Sequence, residues 1–245
     1  MLAVIGGSGL SQFSGLEVRK HKVARTPFGE PSGPLTLGTI QGRELLFLAR
    51  HGYGHTIAPH QVNYRANLWA LREMGVERVV SVASVGGIRA DLAPGVLLVP
   101  DQILDYTWGR AATFYEGADA QVTHIDFTEP YAAAERARIL AAAAACGEAI
   151  VDGGVYATTQ GPRLETAAEI TRLERDGADV VGMTGMPEAA LARELDLAYA
   201  AIAVVVNHAA GRGASVRAIS LEQIGVVLER SMGRVRRIIE QLAIE

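Results

Sequence analysis

Tyr199-Ala200-Ala201-Ile202-Ala203-Val204-Val205-Val206-Asn207-His208-Ala209 is an unbroken apolar run closed by an amide and an imidazole. No polar residue alternates through Tyr199 to Val206, so the run predicts a strand covered on both faces, as in a sheet flanked by helices. Asn207 then stands where such a strand delivers its last side chain to a ligand cleft. On either side of it, shorter apolar runs predict strands at Leu2 to Ile5, Leu45 to Ala49, Val79 to Ala83, Val96 to Val99, Gly154 to Thr159 and Val180 to Gly182. Longer helical patterns separate them: Val62 to Met74 ending at Gly75, the alanine-rich Glu129 to Ala145, and Glu165 to Arg175 with Gly177 just beyond. The alternation predicts an α/β fold with a central mixed β-sheet flanked by helices. No linker divides residues 1–245, so one domain is expected.

The last helix is predicted from Ser220 to Ile244, with Ile224, Leu228, Met232, Val235, Ile239 and Leu242 on one stripe that reads as core packing. Thr26 to Thr36, rich in Pro and Gly, and the aperiodic Trp108 to Val122 predict loops. The second is long enough for a lid or a subunit contact.

A hydrophobic content of 49% with 20% charged residues argues against disorder, and a net charge of −4 removes any general electrostatic attraction to nucleic acid or membrane surface. Small anions need only a local positive site and stay open. The single cysteine, Cys146, permits no intramolecular disulfide, so a reducing cytoplasm is expected. The start, Leu2-Ala3-Val4-Ile5, lacks the charged region and length of a signal peptide. No apolar run approaches the roughly 20 residues that span a bilayer. The expectation is a soluble, cytoplasmic protein.

Several strand ends carry chemistry. After the first comes Gly6-Gly7-Ser8-Gly9-Leu10, whose glycines let backbone N–H groups face an anion while Ser8 adds a hydroxyl. A tight turn is the plainer alternative, and the segment is neither a P-loop nor a dinucleotide fingerprint. After the second comes Arg50-His51-Gly52-Tyr53-Gly54-His55, where Arg50 offers a fork for phosphate oxygens and His51 can donate to them or shuttle a proton. His55 and His60 read as structural, and the three histidines form no coherent metal-ligand set, so no metal is expected. Ser81 to Gly87 ends a strand in small residues that permit close approach to a ligand. Thr184 is placed either to cap the helix starting near Pro187 or to bond a ligand oxygen. Finally, Gly161-Pro162-Arg163-Leu164-Glu165-Thr166 presents a carboxylate at a helix start. A carboxylate and the Asn207 amide aimed at one pocket can accept from one ring N–H and pair with another plus a carbonyl, which describes a 6-oxopurine.

These segments, with Asn63-Tyr64-Arg65-Ala66-Asn67-Leu68-Trp69-Ala70-Leu71, Gly177-Ala178-Asp179-Val180-Val181-Gly182-Met183-Thr184 and Pro187-Glu188, resemble the trimeric purine nucleoside phosphorylases, and within them the methylthioadenosine branch. The resemblance runs from residue 2 to about residue 228 in unbroken order. It implies the nucleoside phosphorylase fold, phosphorolysis of a purine nucleoside with inorganic phosphate as co-substrate and no further cofactor, and a homotrimer, with pairing into a hexamer left open. It also implies phosphate among Ser8, Arg50, His51, the backbone near Ser84, and Thr184, with the ribose against Met183 and the purine against Glu165 and Asn207. His124 matches a histidine given to the neighbouring subunit's sugar pocket. One departure is Ala83, where methylthioadenosine members carry a threonine.

Adenine-specific members carry aspartates where this chain has Asn207 and Ala209. A carboxylate suits an exocyclic amine and opposes O6, whereas Asn207 can donate to O6 and accept from N7–H, and Glu165 can accept from the N1–H of a 6-oxopurine. Mismatching such buried groups costs a factor of about 10² to 10⁴ in selectivity. A carboxylate serving only the helix dipole is the plainer reading of Glu165. At the sugar end, inosine and guanosine phosphorylases place a histidine for the 5′-hydroxyl where this chain has Leu221, and an apolar residue there favours a methylthio group by about 1–3 kcal/mol. The combination points to S-methyl-5′-thioinosine as substrate. Methylthioadenosine phosphorylase and general inosine/guanosine phosphorylase are the alternatives. From another class stands a nucleotide-binding module without turnover, which would have no need of Arg50, His51 and two hydroxyls around a separate phosphate.

Overall fold

The computed structural model describes residues 1–10, 13, 15–117 and 121–244. Eleven strands join in one mixed sheet: β1 (Leu2–Gly6), β2 (Glu17–Lys22), β3 (Leu35–Ile40), β4 (Arg43–Ala49), β5 (Arg78–Gly87), β6 (Leu97–Val99), β7 (Gln102–Asp105), β8 (Val151–Asp152), β9 (Val155–Thr158), β10 (Val180–Gly182) and β11 (Ala198–His208). Among the described residues five α-helices cover it: α1 (Tyr64–Glu73), α2 (Ala133–Ala145), α3 (Ala167–Arg175), α4 (Gly185–Glu194) and α5 (Leu221–Ile244).

β1 shows why an unbroken apolar run becomes a central strand. Leu2 and Val4 pack on one face against α2 and α5, through Ile139, Ala142, Met232 and Val235. Ala3 and Ile5 pack on the other against α1 and α4, through Leu68, Leu71, Ala189 and Leu191. Every residue of β1 is buried, so neither face keeps a polar side chain. The predicted stripe of α5 lies in the first of these clusters, with Ile224 and Leu228 only partly covered at its start.

All seven predicted strands form. Four others were not predicted, for identifiable reasons. β2 is Glu-Val-Arg-Lys-His-Lys, exposed throughout, an edge strand held by its antiparallel partner β3 rather than by burial. β3 takes Leu35 and Thr36 from the expected Thr26 to Thr36 loop. β7 and β8 are short and half-covered. Of the loop predicted from Trp108 to Val122, residues 118–120 lie outside the described residues. The described rest of it is irregular.

The architecture opens a crevice where β1 stops. β1 pairs with β5 only as far as Ser81, whereas β5 runs on to Gly87 alongside β11 and picks up β10 in antiparallel register at Gly86 and Gly87. Beyond the carboxyl ends of β1 and β4 the extended β5–β11 pair forms one wall. Crevices at such strand ends are where ligands of open α/β sheets collect. Gly87 is required at the junction, since a Cβ there would lie 2.0 Å from the Leu92 carbonyl oxygen.

Candidate active site

One cavity of about 520 Å³ occupies this crevice, within the range of small-molecule sites. It is lined by Ser8, Arg50, His51, Ser84, Thr184, Glu165, Asn207, Ala209, Met183 and Leu221 together. Of the expected site residues only His124 stands apart: it is exposed and does not line this cavity.

At one end the polar groups are held by the core. Arg50 is 0% exposed, and its guanidinium grips Glu188 through Nε at 2.7 Å and Nη2 at 3.0 Å. Nη2 also donates to Ser81 Oγ at 2.6 Å and Nη1 to the Val82 carbonyl at 3.1 Å. Ser81 and the Tyr199 hydroxyl each donate to Glu188 Oε1, at 2.7 and 2.8 Å. Burial works against the charge of Arg50, but the adjacent carboxylate outweighs it and holds its pKa above the ordinary value. The fork expected to meet phosphate faces Glu188: of the five guanidinium N–H groups four are engaged within the protein, and one on Nη1 is left. Gly7 makes room for it, since a Cβ there would lie 2.9 Å from Arg50 Nη1.

His51 is 6% exposed, and its Nδ1 lies 2.8 Å from the Ile57 carbonyl. Burial, then the Arg50 charge, push its pKa down to about 4, so the ring is neutral at pH 7. A carbonyl only accepts, so Nδ1 carries the proton and Nε2 is left as an acceptor. Of the two expected roles of His51, donation from Nε2 is closed to the neutral ring and proton transfer stays open, which suits the O–H of a hydrogen phosphate. Thr184 occupies the N-cap position of α4 yet makes no side-chain capping bond. Of its two expected roles, capping does not occur.

The other end is built from strand and loop termini. In β11 the pairing with β5 shifts between Val205 and Asn207, leaving Val206 as an extra residue. Such a bulge redirects the side chains beyond it, and here it delivers Asn207 to the cavity. Asn207 Nδ2 donates to the His208 carbonyl at 2.7 Å, which leaves Oδ1 and the second N–H for a ligand. Glu165 lies two residues before the helix it was expected to open. Thr166 is the cap of α3, in a reciprocal box with Glu169, and α3 starts at Ala167. Glu169, not Glu165, is the first-turn carboxylate, and Arg163 with the Thr166 backbone N–H holds its pKa at about 2. Glu165 instead accepts from Thr159 Oγ1 at 2.6 Å. The plainer helix-dipole role thus falls to another residue. Leu221, 73% exposed, lines the open end beside Ile219 and Ile224.

Glu188, Ser81 and Tyr199 were not among the expected site residues, although they fix Arg50. The available signal was a lone carboxylate inside the apolar run Gly185-Met186-Pro187-Glu188-Ala189-Ala190-Leu191, since a buried acid needs a cation. Thr159 had no such signal, because its contact to Glu165 depends on how the Gly161 turn folds back.

Comparison with known proteins agrees with this geometry. The sequence profile described as Phosphorylase superfamily matches residues 1–243. A Pseudomonas syringae pv. tomato protein named probable S-methyl-5′-thioinosine phosphorylase is 55% identical over 96% of this chain and 94% of its own. A Pyrococcus furiosus 6-oxopurine nucleoside phosphorylase is 46% identical over 86% of this chain and 80% of its own. Among solved structures, methylthioadenosine phosphorylase from Schistosoma mansoni in complex with adenine superimposes with a TM-score of 0.94 at 31% identity, covering 99% of this chain and 90% of that one. The seven predicted strands, the strand-end cavity and these matches agree: the chain is a nucleoside phosphorylase by fold and belongs to the phosphorylase superfamily.

Proposed function

We propose that the protein catalyses phosphorolysis of S-methyl-5′-thioinosine to hypoxanthine and 5-methylthioribose 1-phosphate. The observation that carries this reading is the bulged Asn207, an amide with a free acceptor and a free donor in the same cavity as the Glu165 carboxylate. Phosphate, held by Ser8, Arg50, His51, the Ser84 backbone and Thr184, attacks the anomeric carbon as the glycosidic bond breaks, with inversion and no covalent enzyme intermediate. The ribose rests on Met183, and Asn207 meets the charge that develops on the leaving base, an interaction strongest in the transition state. Glu165 accepts from N1–H, the small Ala209 leaves room beside the base, and Leu221 contacts the methylthio group. Inorganic phosphate is the co-substrate, and neither metal nor organic cofactor takes part.

The working unit in this reading is a homotrimer in the cytoplasm, with His124 reaching the neighbour's sugar pocket. The exposure of both His124 and Leu221 in the isolated chain supports it. No helix among the described residues is long and apolar enough to cross a membrane.

A second reading, a 6-oxopurine phosphorylase for 5′-hydroxyl nucleosides, is favoured by the Pyrococcus furiosus relative. The test is phosphate-dependent base release from S-methyl-5′-thioinosine, methylthioadenosine and inosine side by side. Fast hypoxanthine release from the first alone is the expected result. Preference for inosine supports the second reading, and preference for methylthioadenosine overturns the base assignment. Light scattering giving any unit other than three chains or two such trimers removes the assembly.

A further inference from the structure

Arg110 lies on the Trp108–Gly117 stretch of loop, half-buried beside the cavity but not lining it. Its guanidinium reaches two separate segments of the site. Nη1 donates to the carbonyls of Met183 at 2.9 Å and Met186 at 2.6 Å, which bracket Thr184. Nη2 donates to the carbonyls of Thr159 at 3.2 Å and Gln160 at 2.9 Å, at the start of the turn whose Thr159 hydroxyl holds Glu165. Nε, at 3.2 Å, shares the Gln160 side-chain oxygen with the Trp108 N–H, and the guanidinium stacks 5.6 Å from the Tyr64 ring centre.

We infer that Arg110 is a positioning residue: its planar fork fixes the separation between the turn bearing Thr184 and the turn bearing Glu165. The inference rests on the phosphorylase reading above, in which the first turn holds phosphate and the second reads the base. Met186 has extended backbone (φ −117°, ψ 141°) inside α4, so the carbonyls of Met183 and Met186 are not both claimed by helical bonding. A flat cation with donors on both sides can hold carbonyls from two segments in one plane, whereas an ammonium offers a point charge without that geometry. The two substrates must meet in near-attack geometry, and a displacement of about 1 Å costs on the order of 10²-fold in rate.

The test compares Arg110→Ala and Arg110→Lys with the wild type, after circular dichroism has established which are folded. Both variants are expected to lose about 10²-fold in kcat while KM for phosphate and for nucleoside stays within about threefold, because each seat survives and only their alignment is lost. Millimolar guanidinium should restore Arg110→Ala at least tenfold and leave the wild type unchanged. A purely structural role would not respond to the free ion. If Arg110→Ala does not fold, Arg110→Lys decides alone. Wild-type kcat in Arg110→Lys, or a folded Arg110→Ala that guanidinium does not rescue, overturns the inference while the phosphorylase reading stands. A wild type inactive on every nucleoside overturns both, and is recognised before any variant is assayed.

Discussion

The two ends of the cavity are built on different terms. The Arg50 end is part of the core: its guanidinium, Glu188, Ser81 and Tyr199 are buried and bonded to one another before any ligand arrives. The Asn207 and Leu221 end is half-buried to exposed, and rests on a bulge, a turn and the first residue of a helix. An anion seat common to every substrate can be locked into the interior, where it needs no reorganisation during reaction. In the proposed reading, the groups that choose the base and the 5′ substituent sit where a substitution does not disturb the core.

The largest expected effect tests the buried end. Glu188→Ala leaves the Arg50 charge without its carboxylate and should destabilise the fold by about 3–5 kcal/mol. Urea denaturation monitored by fluorescence checks this, and a loss under about 1 kcal/mol would mean the network is not the rigid element described. At the open end, Asn207→Ala should lower kcat by about 10² to 10³-fold with little change in the urea midpoint. Asn207→Asp should raise the methylthioadenosine to methylthioinosine ratio of kcat/KM by at least about tenfold. If both Asn207 variants instead unfold the protein, the contrast between the ends fails.

His51 sharpens the contrast through pH. Its pKa of about 4 lies below the ordinary value, so between roughly pH 6.5 and 4 the unfolded chain binds the proton more readily. The stability this contributes is complete above about pH 6.5 and is lost as pH falls through 4. Imidazole ¹⁵N spectra should show a neutral, Nδ1-protonated ring down to about pH 5, and an inflection near 6.5 would contradict the buried setting. The smallest effect belongs to Leu221. Leu221→His should shift the preference between methylthio and hydroxyl substrates by roughly tenfold or less, because a small apolar group is worth only about 1–3 kcal/mol.

The sequence was most legible where burial writes a pattern. β1 and β11 are continuous apolar runs, and α1 and α3 end at glycines with φ of +76° and +95°. Several residues lining the cavity were also legible at strand ends, Arg50 and His51 after β4 and Asn207 in β11, whereas Glu165 comes from a turn and Leu221 from a helix start. Partner choice among polar groups was less so. Arg50 looked free because its carboxylate lies 138 positions away. Glu165 looked like a helix start because the capping box of Thr166 and Glu169 depends on one residue of register. Edge strand β2 carried no apolar alternation, as its ladder comes from β3 alone.

The bulge at Val206 gives the end of β11 one residue of slack. Along a strand side chains alternate sides, but the bulge sets Val206 and Asn207 together against one step of β5, and both line the cavity. Deleting Val206 would leave the asparagine opposite Gly86 and on the same side of the sheet, but would shorten the chain that carries it into the cavity by one residue. Two relatives carrying the same asparagine can therefore differ in how far its amide reaches into the cavity if one has lost a single valine before it.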